Sequence, residues 1–206
     1  MDPKVVITIS REYGSGGYSI GAKIAKELNI PFYDKDYIAA LAREEPYLNE
    51  VNCEWLQKNG WRTSNLIGSA FSFGPVLGDL NSQLFLKESN VIWKLAQKES
   101  CVIIGRCADF VLQNMEHAYR LFISSGMARR LRQINENPQL YNADIKKEAK
   151  DIIAMDKKRG SYYNYYTGQI WGKASNYDMC IDTGKLGGQT ADVILDYIRR
   201  AEQGIE

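Results

Sequence analysis

Five short apolar runs recur along the chain: Val5–Ile9 (VVITI), Pro31–Tyr33 (PFY), Cys101–Ile104 (CVII), Arg120–Ile123 (RLFI) and Met179–Ile181 (MCI). Their apolar positions run on rather than alternate, which predicts strands covered on both faces, as in a parallel sheet. Helical patterns lie between them. Over Ser19–Asn29 the residues Ile20, Ile24, Ala25 and Leu28 form one stripe, with Lys23, Lys26 and Glu27 outside it. Asn29 reads as the C-cap, and Pro31 forbids continuation. A second stripe, Val193, Ile194, Tyr197 and Ile198, predicts a helix over Ala191–Arg200. Strand, turn, helix and strand within the first 34 residues make a βαβ unit with a right-handed crossover. Residues 36–100 read as helices around a Gly/Ser/Phe-rich middle, Ile67–Asp79. No polar linker flanks them, so they form an insertion at the ligand edge of the sheet. At 206 residues the chain suits a single domain with one substantial core, and its last residues are expected to fray.

Composition narrows the partners. With 26 basic and 25 acidic residues the net charge is +1, so no global field draws in nucleic acid or anionic lipid. Any bound anion must be held by a local site. Four scattered cysteines and the single His117 lack the spacing of a zinc site, and two of the cysteines sit in apolar runs as small buried side chains. The first residues lack the basic and apolar regions of a signal peptide, and no stretch approaches ~18 uninterrupted apolar residues. A reduced, cytoplasmic setting is the expectation. The tyrosine-rich run Ser161–Trp171 could stack on bases, but without a basic balance it reads as packing.

The densest chemistry is Ser10–Gly21, directly after the first strand and opening the first helix. Gly14, Gly16 and Gly17 can adopt positive φ and let backbone N–H groups converge on an anion, and the helix dipole adds positive charge there. Against G-x-x-x-x-G-K-[ST] two registers are open. With Gly16 as second glycine, Arg11 replaces the first, Gly17 the lysine and Tyr18 the hydroxyl residue. Sliding by one puts Tyr18 at the lysine and Ser19 at the hydroxyl. Neither register supplies a lysine. The alternative is a glycine-rich turn that holds no ligand.

The segment VITISREYGSGGYSIGAKIAKELNIPFYDKDYI resembles the opening of the cytidylate kinase-like family, divergent P-loop nucleoside monophosphate kinases. The resemblance implies a three-layer α/β P-loop NTPase fold with a five-stranded parallel sheet of order 2-3-1-4-5. It also implies a helical acceptor-binding insertion at 36–100 and a lid over 133–172. Gly14-Ser15-Gly16 falls on that family's Gly-Ser-Gly and Asp34 on the aspartate ending the second strand; in that register Gly17 stands where the lysine would be, and Ser19 follows as the second hydroxyl position, where Mg2+ would be held. Arg106, in Ile103–Val111, matches the arginine that binds the acceptor. Ile104 and Cys107 stand where acids are usual, and Asp109 lies nearby. Leu121–Leu131 resembles the fourth strand and the helix leading into the lid, which gives Arg130 its role. Asp156 and Arg159 match the D-x-x-R of the lid, and Asp182–Thr183 the adenine side.

The activity implied is transfer of the γ-phosphoryl of ATP, with Mg2+, to CMP or a related nucleoside monophosphate. Arg11, Gly14, Ser15, Gly16, Gly17, Tyr18 and Ser19 would hold the donor. Arg130, Asp156 and Arg159 would be catalytic, and Asp34, Arg106 and Asp109 would face the acceptor. Phosphoryl transfer needs positioned cations, and losing one preorganised donor typically costs about 3–4 kcal/mol. Arg11, Arg129, Arg130, Arg132, Lys157, Lys158 and Arg159 are the replacements on offer. Other readings stay open: a non-catalytic nucleotide sensor, a kinase for another small acceptor, or a plain interaction domain. Asp34 either holds magnesium through water or caps a helix, and a homodimer is also open.

Overall fold

The computed structural model describes residues 4–46, 55, 80–141, 143 and 145–204. Strands β1 (Val6–Arg11), β2 (Phe32–Tyr33), β3 (Cys101–Ile104), β4 (Ala118–Ser124) and β5 (Met179–Asp182) form one parallel sheet of order β2-β3-β1-β4-β5. This is the order the sequence reading expects. β1 runs two residues past its apolar stretch, because Ser10 and Arg11 pair with Phe122 and Ile123 of β4. That extension sets Arg11 at the carboxyl edge of the central strand.

The helices are α1 (Gly17–Leu28), α2 (Lys35–Glu44), α3 (Leu80–Lys98), α4 (Ala108–Val111), α5 (Met127–Glu136), α6 (Ala149–Thr167), α7 (Thr183–Leu186) and α8 (Thr190–Glu202). Asn29 ends α1 in the left-handed region (φ 52°), its N–H returning to the Ala25 and Lys26 carbonyls. On one face of the sheet α1 and α8 cover Ile7, Ile9, Val102, Ile104, Leu121 and Ile123. On the other, α2, α3, α4 and α6 cover Val6, Cys101 and Ile103. Both faces being covered explains why the strand sequences do not alternate.

The tyrosines of α6 join that second core. Tyr163 and Tyr166 are buried, and Tyr166 stacks on Phe85 with ring centroids 4.4 Å apart, while Tyr165 faces solvent. Cys101 and Cys107 are buried, whereas Cys180 on the edge strand β5 is exposed despite its apolar neighbours. The Ile67–Asp79 middle, Cys53 and the last two residues lie outside the described residues. Among the described residues no helix is long and apolar enough to cross a membrane.

Candidate functional site

The loop between β1 and α1 is fastened from several directions. Glu12 donates its N–H to the Ile123 carbonyl (3.0 Å), and the Ser15 hydroxyl returns to the Glu12 carbonyl (2.9 Å). Thr183 donates its hydroxyl to the Ser15 carbonyl (3.0 Å). Gly14 and Gly16 have φ of 82° and 86°, which only glycine adopts without strain. A β-carbon on Gly14 would also lie 2.9 Å from the Arg130 carbonyl. Gly16 is the N-cap of α1 and supplies no side chain to it. The first-turn N–H groups are therefore left for an external acceptor, and the helix dipole adds to their field.

Arg11 crosses this loop. A β-carbon on Gly17 would stand 2.7 Å from the Arg11 Cβ and 3.0 Å from its Cγ. The guanidinium lies against Gly105 at the end of β3, where a side chain would otherwise go. Burial and the nearby Arg159 lower its pKa to about 9, with Asp34 pulling the other way, so it stays cationic at neutral pH. Among the described residues its guanidinium has no hydrogen-bond or ion-pair partner.

Arg130, Asp156 and Arg159 converge on the backbone of residues 11–13. One Asp156 oxygen accepts the Tyr13 N–H (2.7 Å), and the other is ion-paired with Arg130. Arg130 also reaches the Tyr13 carbonyl (3.4 Å) and approaches Glu12, whose carboxylate accepts the Ser125 N–H (3.0 Å). One turn along α6, Arg159 donates to the Arg11 carbonyl (2.9 Å) and lies over the Tyr13 ring (5.4 Å to its centroid). Burial lowers the pKa of Arg159, with Asp156 opposing. Of the other cations considered, Arg132, Lys157 and Lys158 are exposed.

On the far side of Arg11, Asp34 is the N-cap of α2. Its Oδ1 accepts the N–H groups of Asp36 and Tyr37, both at 3.0 Å, and its Oδ2 accepts the Tyr18 hydroxyl at 3.3 Å. Of the two roles considered for Asp34, the capping one is realised. Tyr18 and Ser19 are both exposed in the first turn of α1. Among the described residues no three His, Cys, Asp or Glu side chains are placed to hold a metal. Magnesium carried in on nucleotide phosphates needs only one or two protein ligands, a demand the Ser19 hydroxyl fits.

Arg106 stands in a turn where Gly105, Arg106 and Cys107 all have positive φ (73°, 55° and 57°). Each non-glycine residue so placed stores about 1–3 kcal/mol. The arginine is ion-paired with Glu88 of α3 and lies over the Tyr162 ring (4.8 Å). The Glu88 side chain is 1% exposed; burial raises its pKa, opposed by Arg106 and Tyr162. Among the described residues Glu88 Oε1 and Arg106 Nε are buried without a hydrogen-bond partner. Asp109 turns into the core instead, accepting the Tyr163 hydroxyl (2.7 Å), and burial pushes its pKa up to about 6.

Glu12, Tyr13 and Glu88 were not singled out by the sequence. Glu12 and Tyr13 occupy unspecified positions of the glycine motif. Glu88 had one signal: an arginine emerging from a buried strand needs an anion or a carboxylate. An open groove along α5, lined by Leu131, Asn135, Pro138 and Lys147, contains none of the loop residues.

A model of the cytidylate kinase-like family matches residues 6–185. An uncharacterized protein from Eubacterium ventriosum ATCC 27560 is 29% identical, with 96% of this chain and 99% of that chain covered and a TM-score of 0.72. A gluconokinase from Sinorhizobium meliloti 1021 (13% identity, coverage 98% and 95%, TM-score 0.55) shares the fold. So does shikimate kinase from Acinetobacter baumannii in complex with shikimate (14%, 97% and 96%, 0.51). No curated protein sequence matches the chain.

Proposed function

We propose that this chain, which belongs to the cytidylate kinase-like family, is a phosphotransferase that moves the γ-phosphoryl of ATP to a nucleoside monophosphate, CMP foremost. The observation that carries the reading is the convergence of Arg130, Asp156 and Arg159 on the backbone of the glycine loop, beside a helix start with no side-chain cap. Backbone N–H groups from Gly14 to Ser19 hold the donor phosphates. Arg159, tied through the Arg11 carbonyl, presents charge to the transferring group, and Asp156 fixes Arg130 and the loop in register. The Ser19 hydroxyl would hold magnesium carried in with the nucleotide, which would supply neutralisation of the phosphate charge. Arg106 holds the acceptor, α3 of the 36–100 insertion flanks it through Glu88, and the 133–172 region covers the site through α6, which stays fastened to β1. The chemistry is positioning and charge stabilisation, so it asks for no covalent intermediate.

The Glu88–Arg106 pair favours a second reading of the acceptor. An arginine already neutralised by a buried carboxylate suits a hydroxyl-bearing molecule better than a phosphate dianion. A hydroxyl acceptor also has a proton to lose, and a carboxylate stands there. A coupled ADP-release assay with magnesium-ATP separates the readings, run against nucleoside monophosphates and small sugar acids beside Arg106→Ala. Turnover with CMP, abolished in the variant, supports the first reading, and turnover only with a hydroxy acid supports the second. ATP binding with no turnover on any acceptor would overturn both. In the active case Arg159→Ala should lower kcat by roughly 10²–10³ without loss of folding.

A further inference from the structure

We infer that Arg11 is the phosphate-binding cation of the loop, reaching from the strand into the space that a lysine at position 17 would otherwise take. This rests on the donor-site reading above. The structure selects between the two registers of the motif. α1 begins at Gly17 with Gly16 as its N-cap, so position 17 is the lysine position and position 11 that of the first glycine. In this chain the two have exchanged character: an arginine stands for the glycine, and a glycine for the lysine.

The exchange is steric as well as chemical. The Arg11 stem lies 2.7 and 3.0 Å from where a Gly17 side chain would start, so the two positions cannot both carry a long side chain. The guanidinium ends against Gly105, whose missing side chain leaves room for it. It therefore lies between the loop and the strand end that bears Arg106, where a transferred phosphoryl must pass. The alternative register offers nothing comparable, since Tyr18 packs on Phe32 and spends its hydroxyl on Asp34.

Among the described residues the guanidinium also has no hydrogen-bond or ion-pair partner. Both Asp34 oxygens are engaged elsewhere, and Arg159 adds a second positive charge nearby. A partly buried cation beside another cation is unfavourable until an anion arrives, and a guanidinium fork matches phosphate oxygens in pairs.

Isothermal titration of magnesium-ATP and of inorganic tripolyphosphate tests the assignment in five proteins. These are the unaltered chain, Arg11→Gly, Arg11→Met, Gly17→Lys and the double variant Arg11→Gly/Gly17→Lys. Arg11→Met, which keeps a stem over Gly17 but no charge, should weaken both ligands at least tenfold, and Arg11→Gly should do the same. Gly17→Lys should lower the melting temperature without tightening binding, because its stem meets that of Arg11. The double variant should bind within a few-fold of the unaltered chain. Unchanged affinity in Arg11→Met, or no recovery in the double variant, overturns the assignment. Tripolyphosphate binding that depends on Arg11, without ATP binding, keeps it and removes the kinase reading. An unaltered chain that binds neither overturns both.

Discussion

Water is excluded from the Asp109 carboxyl in the first turn of α4, and its ionisation should mark the stability of the chain. Its pKa rises from the ordinary 3.8 to about 6 because burial penalises the charge. The folded state therefore holds this proton more tightly than the unfolded one. The resulting stabilisation is fully present below about pH 4 and is lost as pH rises through about 6. At about 1.4 kcal/mol per pH unit, the span between the two values corresponds to roughly 3 kcal/mol. Asp109→Asn keeps an acceptor for the Tyr163 hydroxyl and removes the titration. Its unfolding free energy relative to the unaltered chain should climb by that amount between pH 4 and pH 7 in urea titrations, and a flat difference would contradict this account. Asp109 also shows where the sequence stops being legible. Its place after a Gly-Arg pair suggested a ligand contact, but the direction of a side chain on a one-turn helix depends on what packs above it, here Tyr163. Gly14 and Gly16 were legible because positive φ is a local demand that glycine meets. Glu12 and Tyr13 were not, because their partners lie more than a hundred residues away.

Among the elements, the contact between α3 and the turn after β3 brings a buried charge pair and a strained backbone together. Three successive left-handed residues lie there, and besides backbone hydrogen bonds they are braced by an ion pair whose charges are both largely out of water. Glu88→Ala leaves Arg106 without its counter-charge and should cost about 3–5 kcal/mol. Adding Arg106→Ala should recover a good part of that loss, so the double-mutant cycle in urea should show coupling of roughly 1–3 kcal/mol. Additive losses would mean that the pair does not hold the turn. The elements themselves were legible to different degrees. The apolar runs found all five strands, since continuous burial leaves a continuous apolar signal. They missed the last residues of β1, where Ser10 and Arg11 pair with β4 through backbone alone. The α3 helix is buried around most of its circumference, Glu88, Ser89 and Asn90 included, so it showed no clean stripe.

For the molecule as a whole, the order 2-3-1-4-5 followed from the family resemblance. The balanced charge meant that anion binding had to be local. The fastening of α6 to the end of β1 and the loop after it could not be read, because it joins side chains of one to backbone of the other. That fastening makes the two one mechanical unit. Hydrogen exchange should therefore give the middle of α6 the same opening free energy as β1, within about 1 kcal/mol. Arg159→Ala should lower the value for α6 by about 1–3 kcal/mol and leave β3 unchanged. Independent opening of α6 in the unaltered chain would contradict this. The same stitching has a consequence for synthesis. Residues 11–17 leave the ribosome early, yet what fixes them comes from residues 130, 156, 159 and 183. At ~5–20 residues per second, on the order of ten seconds separate the loop from its last fastening. A nascent or truncated chain ending before Thr183 carries the glycine loop but not its assembled geometry, so a stalled fragment should not sequester the cell's nucleotide.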